Sequence, residues 1–195
     1  MRKIQKIFLY AFVALSMLLI TSCSSSQTGS SVPTEEKKQV VSYSTWPYYS
    51  FEDAVDTAAT IVYGCVGEKG ETRQIEGTSG EEADDYCRDV PIEALEVLKG
   101  EALNGTVAAI EPGGETADTL YIMEGACLYE EGQEYVLFLN EYGASLAPYA
   151  MMTVDDGIVD TSNGLLPGID WIEEKDYPQS MPVEEYLDAI RREME

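Results

Sequence analysis

The chain has 195 residues, of which 36 are acidic and 12 basic, with no histidine and a formal net charge of −24. Without histidine there is no His-dependent triad, no imidazole general base and no usual zinc ligand set, so the expectation is not an enzyme. Carboxylate-pair chemistry is the catalytic option that remains. An acidic surface repels nucleic acid and anionic headgroups, so no nucleic-acid partner is expected, and divalent cations are attracted only weakly. No cofactor, catalytic residue or metal ligand is assigned.

Residues 1–22 read as an export leader. Arg2, Lys3 and Lys6 form a positive start, and residues 7–20 are an uncharged, largely apolar run. A membrane span needs about 20 apolar residues, so this run better fits a signal segment. It ends in Leu18-Leu19-Ile20-Thr21-Ser22-Cys23. That string resembles the lipobox of bacterial lipoproteins: an aliphatic residue, two small residues, then a cysteine. The resemblance implies leader removal, acylation of Cys23 and residence at the extracytoplasmic face of the cell membrane, held by lipid. Losing the leader removes three of the 12 basic residues and no acid, which takes the net charge from −24 to −27.

Three further cysteines remain: Cys65, Cys87 and Cys127. Outside the cytoplasm one disulfide and one thiol are expected. Cys65–Cys87 would close an acidic segment, Cys65–Cys127 is the alternative, and a fully reduced set is the third outcome.

Residues 23–45 read as the lipidated cysteine and a flexible tether, rich in serine and then in charge. The domain proper is expected over 46–195. Ser50 and Asp53 resemble a capping pair for a short helix over 51–59. Residues 60–66 are β-branched and aromatic, hence a strand, with Gly64 marking a bulge or bend. Residues 68–89 carry eight acidic residues and four glycines flank or interrupt them; a solvated, mobile loop is expected. Strands follow over 91–98 and 106–111, closed by Lys99-Gly100 and by Pro112-Gly113-Gly114, with a weaker one over 119–123. Residues 134–140 are the most apolar run after the leader and should form the central strand. Residues 151–154 and 158–160 read as a hairpin through Asp155-Asp156-Gly157. After a Gly-, Pro- and aromatic-rich loop over 162–180, a helix over 183–194 carries Val183, Tyr186, Leu187, Ile190 and Met194 on one stripe. Short, evenly spaced strands with a docked helix give a mainly β fold: a small five- to seven-stranded OB-like barrel with a short N-terminal and a docked C-terminal helix.

The order Ile61-Val62-Tyr63-Gly64, Glu96-Val97-Leu98-Lys99-Gly100, Pro112-Gly113-Gly114, Gly132-Gln133-Glu134-Tyr135-Val136-Leu137-Phe138-Leu139 resembles a netrin/TIMP-like domain over about residues 55–141. The resemblance implies an OB-type barrel. It does not extend to metalloproteinase inhibition, which in that family uses a free N-terminal cysteine; here that cysteine would be acylated.

Trp46, Tyr48 and Tyr49, with Phe51, could stack on sugars of wall glycans, or could plug the barrel by packing on it. Asp155-Asp156-Gly157 lacks calcium-loop spacing and reads as a turn. Glu81-Glu82-Ala83-Asp84-Asp85 could hold a divalent ion weakly. Nothing brings Glu130-Glu131 and Glu173-Glu174 to the ~5–10 Å that glycoside cleavage needs. The reading that results is a lipid-anchored, non-enzymatic binding module whose partner is a protein or wall glycan. Its alternatives are a wall carbohydrate-binding or carbohydrate-active domain and a divalent-cation-binding surface protein.

Overall fold

The Ser50 hydroxyl accepts a hydrogen bond from the Asp53 backbone N–H at 3.0 Å, and the Asp53 carboxylate faces the Ser50 N–H at 3.5 Å. This capping box starts helix α1 (Phe51–Thr57), whose Phe51, Ala54 and Val55 are buried. At the other end the Lys99 ammonium donates to the carbonyls of Val55 and Asp56 at 2.8 and 2.9 Å. A cation thus caps the helix from a neighbouring strand end, where the last carbonyls have no partner of their own. The computed structural model describes residues 37–162, 164–167 and 179–195, and everything below concerns these.

The expected mainly β fold with two helices is what forms. The strands are β1 (Lys38–Tyr43), β2 (Thr60–Val66), β3 (Thr72–Gln74), β4 (Tyr86–Lys99), β5 (Thr106–Pro112), β6 (Gly114–Glu115), β7 (Thr119–Glu124), β8 (Glu134–Leu139), β9 (Met151–Asp155), β10 (Ile158–Asp160) and β11 (Ser180–Pro182), and helix α2 spans Val183–Glu193. The main sheet runs β11-β10-β9-β8-β2-β4-β3, with β5 on β4. Its ladders do not close into a barrel. Only isolated bridges, Ile110 to Ala144 and Leu139 to Ser145, link β5 to the end of β8.

Residues Tyr135 to Leu139 of β8 are all buried because both faces of the strand are covered. Val136 and Phe138 join Ile61, Met152 and Val154 beneath the two helices. Tyr135, Leu137 and Leu139 face the other way, onto Val62, Val66, Ile92, Val107 and Ala109. Phe51 stands edge-on to Phe138 and to Tyr186 of α2, at 6.4 and 5.8 Å between ring centres. The Tyr186 hydroxyl donates to the Leu165 carbonyl at 2.8 Å, and Arg191 reaches Glu96 at 2.5 Å. The last helical turn is shorter than its stripe suggests: Met194 lies past the helix end and is 39% exposed.

Two glycine expectations hold for a stated reason. The β2–β4 register shifts at Tyr63/Gly64, and a Cβ on Gly64 would lie 2.6 Å from the Glu93 carbonyl oxygen. The hairpin between β9 and β10 has Asp156 and Gly157 at φ 50° and 76°, the left-handed pair a type I′ turn requires.

Three expectations are corrected. First, order begins before residue 46. Residues assigned to the tether form β1, which pairs in parallel with β7, Lys38 beside Thr119 through Tyr43 beside Glu124. Val40, Val41 and Tyr43 supply the β-favouring side chains that the neighbouring charges masked. Second, the acidic stretch is structured. It holds β3, paired to β4, and a 3-10 turn at Ala83–Asp85. Oδ2 of Asp85 accepts from the backbone N–H of Gly80 and Glu81 and from the Ser79 hydroxyl at 2.7, 3.0 and 2.9 Å. Third, β4 starts at Tyr86 and runs 14 residues, straight through Pro91, which pairs with Ala108 of β5. Together with β1, the two-residue β6 and β7 make a second, three-stranded sheet in the order β1-β7-β6.

The leader, Cys23, most of the expected tether, Glu173-Glu174 and most of the 162–180 loop lie outside the described residues.

Candidate functional site

Strand β5 alternates inward and outward, and its inward residues are Val107, Ala109 and Glu111. A carboxylate therefore sits at a core position, with no exposed surface. Antiparallel register places Arg88 of β4 directly opposite it. Nη2 of Arg88 donates to Oε1 of Glu111. The Lys69 ammonium, reaching in from the segment after β2, donates to Oε2 at 2.9 Å, and the Tyr129 backbone N–H donates to the same oxygen at 2.7 Å. Burying a carboxylate costs several kcal/mol unless such donors replace water, and here three do. Lys69 is held from behind as well, since its backbone N–H donates to Glu131 at 2.9 Å. The cluster ties the start of the acidic segment to the core.

Two polar atoms beside it are buried and have no partner among the described residues: Nε of Arg88 and the hydroxyl of Tyr129. The Tyr129 ring packs edge-on against Tyr135 at 6.0 Å, and burial drives its phenol pKa far above the ordinary value. Burial likewise pushes the Cys127 thiol up to about 11, against a lowering contribution from Ser145.

Arg88 also lines a cleft of about 200 Å³ between β4–β5 and the small sheet. Leu120, Tyr121 and Met123 of β7, Glu115 of β6 and Leu128 are among its lining. Tyr121 stacks on Tyr86 with ring centres 3.6 Å apart. Glu115 is engaged by the Lys37 ammonium at 2.5 Å, which holds its carboxyl below the ordinary value.

The residues singled out from the sequence fall elsewhere. Trp46 and Tyr49 pack on the core beneath the helices, as a plug would. The Tyr49 N–H donates to the Tyr149 hydroxyl at 2.8 Å, and that hydroxyl donates to the Pro47 carbonyl at 2.6 Å. Tyr48 is 55% exposed, with its ring 6.5 Å from that of Tyr149. Cys65, Cys87 and Cys127 are all unpaired thiols. For Cys65–Cys87 the register gives the reason. Cys65 sits beside Glu93, six residues along β4 from Cys87, a separation of about 20 Å at ~3.3 Å per residue. A disulfide needs Cα atoms within about 7 Å. Burial raises the Cys87 thiol as well, partly offset by Arg73.

Among the described residues no group of three or more acidic or cysteine side chains is placed to hold a metal ion. Asp85, at the end of the acidic run, uses its carboxylate to bind its own loop. Burial raises its pKa, but backbone N–H donors from Glu82, Gly80 and Glu81 and the Ser79 hydroxyl more than reverse this, and the net shift is downward. Glu130 and Glu131 do not face each other across a cleft; Glu131 is the acceptor for Lys69, and the Glu130 N–H donates to the Tyr135 hydroxyl at 3.3 Å.

Sequence reasoning missed Lys69, Arg88 and Glu111. One signal was available: in Val107-x-Ala109-x-Glu111 the acid keeps the parity of the core residues. Its two cations lie 42 and 23 residues away and carry no pattern of their own.

The fold and site define a small mainly β domain with a buried Lys–Glu–Arg cluster beneath an open cleft. Compared with family models, with curated proteins and with solved structures, the chain matches none.

Proposed function

We propose that this protein is a lipid-anchored, extracytoplasmic binding module without catalytic activity. The observation that carries the reading is Leu18-Leu19-Ile20-Thr21-Ser22-Cys23 at the end of an uncharged apolar run. The site supports a binding role by how its ionisable groups are used. Glu111 accepts three hydrogen bonds, from Lys69, Arg88 and the Tyr129 N–H, and so joins two strands and two loops. Cys87 and Cys127 are buried thiols with raised pKa, a state in which a thiol is a poor nucleophile. The OB-type relationship to netrin/TIMP-like domains belongs to this proposal. Its support is that three of the motifs lie on the neighbouring strands β2, β4 and β8. The inhibitory chemistry of that family is not carried over.

The test is fractionation and crosslinking on intact cells, wild type beside Cys23→Ala. The wild type is expected in the membrane fraction, acylated, with a specific protein or glycan enriched; Cys23→Ala is expected to be unprocessed or released. A mutant that stays membrane-bound at mature size would sink the anchor.

One observation favours a second reading, stacking on wall glycans: Tyr48 presents an exposed ring beside Tyr149. Tyr48→Ala should then abolish retention on purified cell wall. Unchanged retention removes this reading.

A further inference from the structure

We propose that the cleft over Arg88 binds a small amphipathic carboxylate, an anionic head on a short apolar body. This deepens the reading of the protein as a binding module and rests on it.

The argument starts from charge. Lys69 and Arg88 against Glu111 leave one formal positive charge in a chain whose surface is otherwise strongly acidic. Of the Arg88 guanidinium only Nη2 has a hydrogen-bond partner among the described residues. Its side chain is 31% exposed, and it lines the cleft. With Nη2 bonded to Glu111 and Nε buried, Nη1 is the nitrogen left to donate, and a guanidinium fixed from beneath by a buried carboxylate holds that donor in place for a charge-assisted hydrogen bond. The other acid on the cleft wall, Glu115, is already paired with Lys37.

The remaining lining sets the rest of the ligand. Leu120, Tyr121, Met123 and Leu128 make the wall mostly apolar. Leu128 is 63% exposed, and an apolar body in the cleft would cover it. A volume of about 200 Å³ accommodates roughly six or seven non-hydrogen atoms at ~30 Å³ each, about the six carbons of a short fatty acid whose two carboxylate oxygens lie on the partly exposed Arg88. Methionine and tyrosine side chains suit such a site, the first by adapting its shape and the second by presenting a flat face.

The experiment uses the full chain in nanodiscs of zwitterionic lipid, labelled at the methionine methyls and titrated with sodium hexanoate or with 1-hexanol at constant ionic strength. The Met123 methyl signal is expected to move saturably with hexanoate. The alcohol, with the same body and no charge, should need at least about tenfold more for the same shift, since a charge-assisted hydrogen bond is lost. Leu128→Glu puts a carboxylate on the cleft rim at an exposed position and should abolish hexanoate binding. Arg88→Gln should weaken it about tenfold or more. Because Arg88→Gln also removes a partner of Glu111, Leu128→Glu decides the matter whether or not the first variant folds. The proposal fails if Met123 does not respond, if hexanol matches hexanoate, or if Leu128→Glu binds as wild type does. Cys23→Ala should titrate like wild type, so failure of the anchor and failure of the cleft are separate results.

Discussion

In β8 the five residues from Tyr135 to Leu139 are all buried; in β1 none of the six is. The two strands stand for the two sheets. The main sheet packs apolar side chains on both faces. No residue of the small sheet belongs to either apolar core. The small sheet is joined to the acidic segment beside it by the Ala83 N–H on the Ser42 hydroxyl, the Glu115 N–H on the Thr72 hydroxyl and the Tyr86–Tyr121 stack, while Lys37 pairs with Glu115 across the small sheet itself. Apolar burial depends little on pH or salt, whereas contacts between exposed charges depend on both. The comparison teaches that one domain can combine an apolar-packed sheet with a largely exposed flank, and that the cleft over Arg88 lies between them.

The largest effect expected from breaking the main sheet is Phe138→Ala, a loss of about 3–5 kcal/mol in denaturant unfolding, because it empties space between two helices and a strand. Next comes the joint. Glu111→Gln leaves Lys69 and Arg88 without their anion and should cost about 3 kcal/mol. It should also loosen the 67–71 segment in hydrogen exchange. Equal exchange there with and without Glu111 would show that the cluster does not pin the segment. Third is Ser50→Ala, expected to cost about 1 kcal/mol through the lost cap of α1.

Acid separates the two regions most cleanly. Asp85, Asp89 and Glu115, all in or beside the flank, have carboxyl pKa values held below normal, Asp85 by donors of its own loop, Asp89 by hydrogen bonds from Arg73, Glu115 by Lys37. A carboxyl depressed in the folded state adds stability that is full above its unfolded pKa, about 4, and is lost as pH falls through the folded value. Amides near residues 79–82 and in β1 should therefore lose protection, measured against the intrinsic rate at each pH, below about pH 4, before those of β2 and β8. Simultaneous loss across both sheets would erase the distinction drawn here. The smallest expected effect is chemical: alkylation of the native protein near pH 8 should reach Cys65 first, with Cys87 and Cys127 slow until unfolding, because both are buried and their thiols are held protonated.

The mainly β class, both helices, the central strand, the cap at Ser50 and the type I′ hairpin were legible in the chain. Each depends on residues within a few positions of one another, where period, capping and turn chemistry act. The flank was not legible. Strand β1 is short, begins at a lysine pair, and becomes a strand by pairing with β7, some 80 residues later, which offers it an edge. The acidic segment looked solvated because its charges are visible in sequence, while the N–H groups that satisfy Asp85 are not. Of the three outcomes the cysteines left open, Cys65–Cys87 is ruled out for a related reason: spacing along the chain says nothing of the ladder that sets the two six residues apart along β4.

By itself the sequence determined the local elements, the absence of histidine chemistry and the acidic balance, because these are properties of composition and near neighbours. Tertiary structure alone decided that Lys69, Arg88 and Glu111 meet. A buried ion cluster is made by strand register and by a loop folding back, and its members become partners only when packing excludes the water that would otherwise solvate each separately.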